Sequence, residues 1–492
     1  MGTFKRAKLV CLSLVLSTAS AISLAAQTVT TIASIGGSSG FNPLGLVQGA
    51  NGNFYGTTIF GGSHSAYDDG TVFEVTPAGV VTTLHTFFCS NVKCPDGGGP
   101  DIGLLLSANG NFYGLTTLGG AGGQGTVFEI TPTGKLTTLY SFCALANCAD
   151  GASPSALLQG TDGNFYGTTA IGGNHGAFGT VFKLTPAGEL TTLHNFCPSG
   201  DGTDCPDGRN PTAGSGFIQA SNGNFYGTTY EGGANGYAGG TIFEITPAGM
   251  LTTLYSFCAQ ASCADGASPN GLLQAANGNF YGVTYAGGAV GEACGGNGCG
   301  TIYEMTPTGQ LTTLHAFCEL PGCPTGPGPV IQATDGNFYG TSIGGAHDKG
   351  TAFESDPSGS LTTLYNFCRQ ASCADGQDPY TGMLQATNGT FYGTTATGGA
   401  YFGGTVFSLS MGLGPFVKTL PAAGKVRAKV LILGNNLTGT SSVSFNGTPA
   451  VFTVVSDTAI KASVPTGATS GTVQVVTPSG TLSSNVRFRL TQ

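Results

Sequence analysis

The tripeptide Phe-Tyr-Gly occurs seven times along this 492-residue chain, opening at Phe54, Phe112, Phe165, Phe225, Phe280, Phe338 and Phe391, at steps of 58, 53, 60, 55, 58 and 53 residues. A period of that length restricts the chain to an array of like units, each sharing its core with its neighbours. The same short segments recur around every copy. Between 241 and 282 they are Thr-Ile-Phe-Glu-Ile-Thr, Leu-Thr-Thr-Leu-Tyr-Ser-Phe, Gly-Leu-Leu-Gln and Asn-Phe-Tyr-Gly. All are rich in β-branched, aromatic or aliphatic residues and are bounded by turn residues, the signature of strands. With charged residues at 8%, 84 glycines and no Trp, the chain has little material for long amphipathic helices.

Two connections in each unit are tight. Asn or Asp followed by Gly precedes each Phe-Tyr-Gly, at Asn51, Asn109, Asp162, Asn222, Asn277, Asp335 and Asn388; this predicts a two-residue hairpin turn with both central residues at positive φ. Pro-x-Gly at Pro77, Pro132, Pro186, Pro247, Pro307 and Pro357 joins the next two strands. The unit is therefore a four-strand meander, a (Leu-Leu-Gln), b (Asn-Phe-Tyr-Gly), c (Thr-Val-Phe-Glu) and d (Leu-Thr-Thr-Leu), with a Cys-containing loop leading to the next a. Seven such units make a seven-bladed β-propeller, in which the adjacent Phe and Tyr of strand b point to opposite faces and are both buried. The seventh unit ends at 407–410 without a d strand, while residues 29–35 read as a d strand preceding any a. Residues 28–35 are expected to complete the last blade beside 404–410 and close the ring.

Residues 1–26 carry Lys5, Arg6 and Lys8, then an apolar run from Leu9 and small residues through Ala26, the pattern of a secretory signal peptide. No later stretch approaches the roughly 20 apolar residues of a membrane span. Of 15 cysteines, 14 form seven close pairs: Cys89/Cys94, Cys143/Cys148, Cys197/Cys205, Cys258/Cys263, Cys294/Cys299, Cys318/Cys323 and Cys368/Cys373. Disulfides are expected here, since zinc sites use tighter spacings or added His ligands. The predicted location is secreted or cell envelope. Residues 27–411 carry six Lys/Arg against 24 Asp/Glu, which argues against nucleic acid as a partner.

Residues 412–492 leave the repeat and show short alternating segments at 430–433, 442–445, 450–455, 460–464, 471–476 and 485–490, the pattern of a small β-sandwich. Pro421 to Gly424, Gly434-Asn435-Asn436-Leu437, Val443 to Gly447 and Val464-Pro465 through Gly471 resemble the IPT/TIG family of immunoglobulin-like domains. The resemblance implies a spacer or sugar-associated module. The propeller blocks, Asn/Asp-Gly-Asn-Phe-Tyr-Gly-Thr-Thr, Gly-Thr-Val-Phe-Glu-Ile-Thr-Pro and Leu-Thr-Thr-Leu-Tyr-Ser-Phe, resemble the GloVer tandem-repeat family. That resemblance implies an exported bacterial protein, usually with a C-terminal surface anchor, and no anchor helix or sorting tail follows the sandwich here.

The a–b and c–d turns share one face of the disc, so the longer b–c and d–a loops share the other, which is where function is expected. The candidate ligand-binding residues in those loops are His64, Asp68, His175, Tyr230, Tyr237, Tyr285, His347, Asp348 and Tyr401, the tyrosines suited to stacking on sugar rings. His85, His194 and His315 replace a recurrent strand-d tyrosine and read as structural. Asp96, Asp150, Asp207, Asp265 and Asp375 follow the Cys pairs and read as turn caps. They leave calcium as the one cofactor to consider, and no resident metal is assigned. No nucleophile elbow, zinc motif or phosphate loop is present. These features point to a monomeric binding protein for a glycan or an extracellular protein, with no positive signal for catalysis. The alternative is a propeller-fold polysaccharide lyase or glycoside hydrolase.

Overall fold

The computed structural model describes residues 28–491 apart from 63–68, 90–93, 175, 177, 200–204, 212–215, 237–238, 289–297, 318–322 and 347. The described chain is all-β, with three-residue 3-10 turns in the Cys loops. Residues 28–410 build seven antiparallel sheets in a propeller-like array, each ordered a, b, c, d. In the fifth sheet these strands are Ala267–Gln274, Phe280–Ala286, Thr301–Met305 and Leu311–Ala316. The last sheet takes its outer strand from the N-terminus. Thr28–Ser34 runs antiparallel to Thr405–Ser410, with Thr28 opposite Ser410 and Ser34 opposite Thr405.

The alternation of side chains along strand b joins one sheet to the next. Tyr55 packs on Phe112, Tyr113 on Phe165, Tyr166 on Phe225, Tyr226 on Phe280, Tyr281 on Phe338, Tyr339 on Phe391, and Tyr392 on Phe54, with ring centroids 4.0–4.4 Å apart. The series returns to its start, so every sheet has a neighbour on each side. Burying large aromatic rings on both faces is the main apolar gain of each unit, and such pairs add about 0.5–1.5 kcal/mol beyond area burial.

The a–b turns differ from expectation. At each one the glycine alone takes positive φ (84° at Gly52, 90° at Gly278), and the Asn or Asp before it does not. Gly52 N–H donates to the Gly49 carbonyl and Gly49 N–H to the Asn53 carbonyl, so the loop holds three residues, a type I turn closed by a left-handed glycine. The Asn51 side chain accounts for the difference: its Oδ1 accepts the Asn53 N–H at 3.2 Å, holding the preceding backbone in the right-handed region.

Residues 418–490 form two four-stranded sheets and a short parallel pair, Ala423–Gly424 with Arg489–Leu490. Strands at Lys429–Leu433, Ser442–Phe445, Phe452–Ser456, Ala459–Ser463 and Val473–Thr477 fall where the alternation places them, whereas the expected strand at 485–490 shrinks to Arg489–Leu490 and Gly480–Ser483 pairs instead. Lys429–Leu433 is apolar on both faces. Val430 and Ile432 enter the sandwich core with Val443, Phe445, Ile460 and Val475. Leu431 and Leu433 point the other way, into one apolar cluster with Tyr55, Leu106 and Phe112 of the propeller-like array.

Polar contacts extend this docking across the turn face of the disc. Ser456 Oγ and Thr458 Oγ1 donate to the Ala50 carbonyl, at 3.2 and 2.7 Å, and Arg489 Nη1 donates to the Ser221 carbonyl at 2.9 Å. Ala50 lies in the first unit and Ser221 in the fourth, so the sandwich spans the axis on that face.

Candidate functional site

The approach to strand a builds the site. In every unit a proline ends the d–a loop (Pro43, Pro100, Pro154, Pro211, Pro269, Pro327 and Pro379). Each packs against the glycine that opens strand c of the preceding sheet, so that a Cβ added at Gly125, for example, would come within 2.7 Å of Pro154. Beyond this contact, residues that follow the prolines of the first, second, third, fifth, sixth and seventh units line an axial cavity of about 440 Å³. Leu44, Ile102, Leu157, Ile331 and Met383 form much of its apolar wall, and Asp101, Asn270 and Tyr380 are its main polar groups. The volume lies within the roughly 300–1,000 Å³ usual for small-molecule sites.

The polar groups are unequal. Tyr380 hydroxyl donates to Asn42 Oδ1 at 2.8 Å, and burial first, then the negative charge of Asp101, push the phenol up to about 12. Asp101 is surrounded by protein yet open to the water of the cavity, and burial raises its carboxyl above the ordinary carboxylate range. No hydrogen bond or ion pair from a described residue reaches that carboxylate, and no Lys, Arg or His lines the cavity among the described residues.

Below the cavity, strand-a glutamines link neighbouring sheets. Gln219 accepts the Thr161 N–H, Gln274 the Ser221 N–H, Gln332 the Ala276 N–H, Gln385 the Thr334 N–H and Gln48 the Thr387 N–H, at 2.8–3.1 Å. In the second unit Leu106 takes the equivalent place, and the sandwich packs there. With this girdle and the sandwich beneath it, the long-loop face is the open approach.

Of the residues expected to bind ligand, His64, Asp68, His175, Tyr237 and His347 lie outside the described residues. Tyr230, Tyr285 and Tyr401 are exposed, at 41%, 43% and 64%, on the fourth, fifth and seventh units, and Asp348 sits in a left-handed turn at φ 50°. None of these four lines the cavity. Strand b and the b–c loops lie outward of strand a, and Tyr401 sits against Gly36, just beyond the outermost strand of its sheet. Sequence reasoning overlooked Asp101 and Tyr380, though a signal was present. The residue after the run-in proline differs in every unit, being Leu44, Asp101, Ser155, Thr212, Asn270, Gly328 and Tyr380.

The recurrent strand-d and Cys-loop residues belong to the scaffold. Tyr140, Tyr255 and Tyr365 donate to Asp150, Asp265 and Asp375 at 2.8 Å, and each carboxylate also accepts two loop N–H groups. His85 and His194 meet Asp96 and Asp207 in the same way, also at 2.8 Å. In the loop after the fifth unit Thr325 stands two residues beyond the second cysteine, where the other loops have the aspartate, and burial lowers the pKa of His315. Disulfides join Cys89–Cys94, Cys143–Cys148, Cys197–Cys205, Cys258–Cys263 and Cys368–Cys373. Cys299 and Cys323 are also disulfide-bonded, and Cys294 and Cys318 lie outside the described residues. Asp69 approaches Cys89 and Cys94, but a disulfide offers no thiolate to a metal.

A family model described as the Gloeobacter/Verrucomicrobia repeat matches residues 16–214 and 291–430, more than half of the chain. The chain belongs to that repeat family. The IPT/TIG domain model matches residues 416–490, the segment that forms the sandwich. No curated protein matches the chain. Among solved structures it is similar to a putative gluconolactonase, at 10% identity and a TM-score of 0.38 over 80% of this chain and 94% of that one. It is similar to the extracellular domain of a putative hybrid two-component system from B. thetaiotaomicron, at 12% identity and a TM-score of 0.47, covering 94% of this chain and 57% of that one. A periplasmic gluconolactonase from Pseudomonas aeruginosa aligns at 15% identity and a TM-score of 0.43, over 76% and 97% of the two chains. No helix among the described residues is long and apolar enough to cross a membrane.

Proposed function

We propose that this protein is an exported, monomeric binding protein, a seven-bladed propeller over residues 27–411 carrying a sandwich over 412–492, that takes a glycan or a surface protein on its long-loop face. The observation that carries this reading is the axial cavity, into which a nearly uniform scaffold presents Leu44, Asp101, Asn270 and Tyr380 from the equivalent position of four units. Uniform Tyr-Phe contacts support the ring, and variation at the axis supports recognition. Disulfides in the d–a loops favour an oxidising compartment outside the cytoplasm. Tyr230, Tyr285 and Tyr401, exposed on strand b or the b–c loops, are suited to stacking on sugar rings.

The test incubates the mature protein with a panel of plant and bacterial polysaccharides and scores retention and released products together. Retention without products, weakened when Tyr230, Tyr285 and Tyr401 are changed to Ala, is the expected outcome. Release of oligosaccharides would replace this reading with a lyase or hydrolase.

A further inference from the structure

The axial cavity carries one electrostatic imbalance. Asp101 faces it among Leu44, Ile102, Leu157 and Met383, and no hydrogen bond, ion pair or basic side chain of the described residues answers its charge. Asp101 keeps solvent access through the cavity, so water is what answers its charge, and a cation that also buries apolar surface can take the place of that water. Tyr380 adds an aromatic face and, because its hydrogen is committed to Asn42, an oxygen that can only accept further hydrogen bonds. The excess of 24 acidic over six basic residues in 27–411 makes the surrounding field attractive to cations.

We propose that the axial cavity is a receptor for an organic cation, an ammonium group set against Asp101 with its apolar body against the aliphatic wall. This rests on the reading of the chain as a binding protein and names the ligand chemistry of its innermost site. A lone carboxylate is too sparse a donor set for calcium, which takes six to eight oxygens. An amine with a body of modest size meets both the charge and the apolar lining. The ammonium could be carried by a simple alkylammonium compound or by an amino sugar, and the experiment separates the two.

Titration calorimetry on the full mature chain would use two matched pairs: choline against its neutral isostere 3,3-dimethylbutanol, and glucosamine against N-acetylglucosamine. Binding of at least one charged member is expected, stronger than its neutral partner by about tenfold or more. In Asp101→Asn the charged ligand weakens about thirtyfold or more, as removal of one member of an enclosed charge pair does. Unchanged circular dichroism shows that this variant is folded. Choline alone identifies an alkylammonium site and glucosamine alone an amino-sugar site. Equal binding of charged and neutral partners, an unchanged affinity in folded Asp101→Asn, or no charged probe bound at millimolar concentration overturns the proposal. Polysaccharide retention on the outer loops is scored independently, so failure here leaves that reading separately judged.

Discussion

Asp101 illustrates what an unpaired carboxylate facing an apolar cavity costs the fold that holds it. Burial raises its folded pKa above the ordinary carboxylate value, so below that value the folded and unfolded chains both hold the proton and the residue is neutral to stability. As pH rises through the window between the unfolded and the folded pKa, the unfolded chain releases its proton first, and stability falls. At neutral pH the penalty is present, reduced by the solvent access of the side chain. Asp101→Asn, which keeps the shape and removes the charge, should therefore melt at a higher temperature than the parent at pH 7, and the difference should shrink as pH approaches 4. Paired thermal unfolding curves at several pH values test this. A variant less stable than the parent at pH 7 would mean that the carboxylate has a stabilising partner. By contrast, hydrogen bonds from Asn53, Tyr55 and Asn51 outweigh desolvation at Glu74 and lower its pKa, so its contribution is present at neutral pH and lost on acidification.

Among elements, strand a of the second unit repays comparison with its six counterparts. Gln48, Gln159, Gln219, Gln274, Gln332 and Gln385 hold the place where this strand has Leu106. Its neighbour Ala50 uses its carbonyl to receive Ser456 and Thr458, and Leu106 shares an apolar cluster with Leu431 and Leu433. Leu106→Gln would place an amide against that apolar surface. The predicted loss is about 2–3 kcal/mol in the coupling of sandwich to disc, from the lost methyl groups and the desolvated amide. It should appear as a separate, earlier unfolding transition and faster proteolysis between 411 and 417, while Leu106→Met stays close to the parent. Identical calorimetric traces for Leu106→Gln and the parent would rule this role out. The repeated four-stranded sheets were legible in the sequence because Phe-Tyr-Gly, Pro-x-Gly and the alternation of each strand repeat in phase. The a–b turn was misread because Asn-Gly serves two hairpin types, and the side-chain bond from Asn51 that selects between them appears only in three dimensions. Leu106 was visible as a departure, but its meaning depends on Leu431 and Leu433, more than 300 residues away. Asp101 and Tyr380 escaped for a related reason: a strand pattern gives the face of each residue but not which loop ends converge at the axis.

At the scale of the whole molecule, two devices cross the junction between the last unit and the first. On the outer side, Thr28–Ser34 zips onto Thr405–Ser410, with Ile35 N–H and Asn42 N–H bonded to the Gly404 and Gly403 carbonyls. On the turn face the sandwich reaches both units, through Asn435 to Thr387 on one side and Ser456 and Thr458 to Ala50 on the other. A closed ring stores its cooperativity in this junction, because every other pair of neighbours is joined by continuous chain. Removing residues 28–35 should lower the melting temperature by on the order of 5–10 °C and leave strand 405–410 as an unpaired edge prone to self-association. The sandwich should still hold the ring together in that variant. Adding Leu106→Gln to the deletion should therefore cost more than the two changes summed, since the second lock matters most once the first is gone. A synthetic peptide of residues 28–35 added in excess should restore the melting temperature and suppress association of the deletion variant, which distinguishes loss of a specific strand from general damage. Strict additivity of the two changes would mean that strand and sandwich stabilise their own neighbourhoods separately, and that closure is maintained by the Tyr392–Phe54 contact and the packing around it.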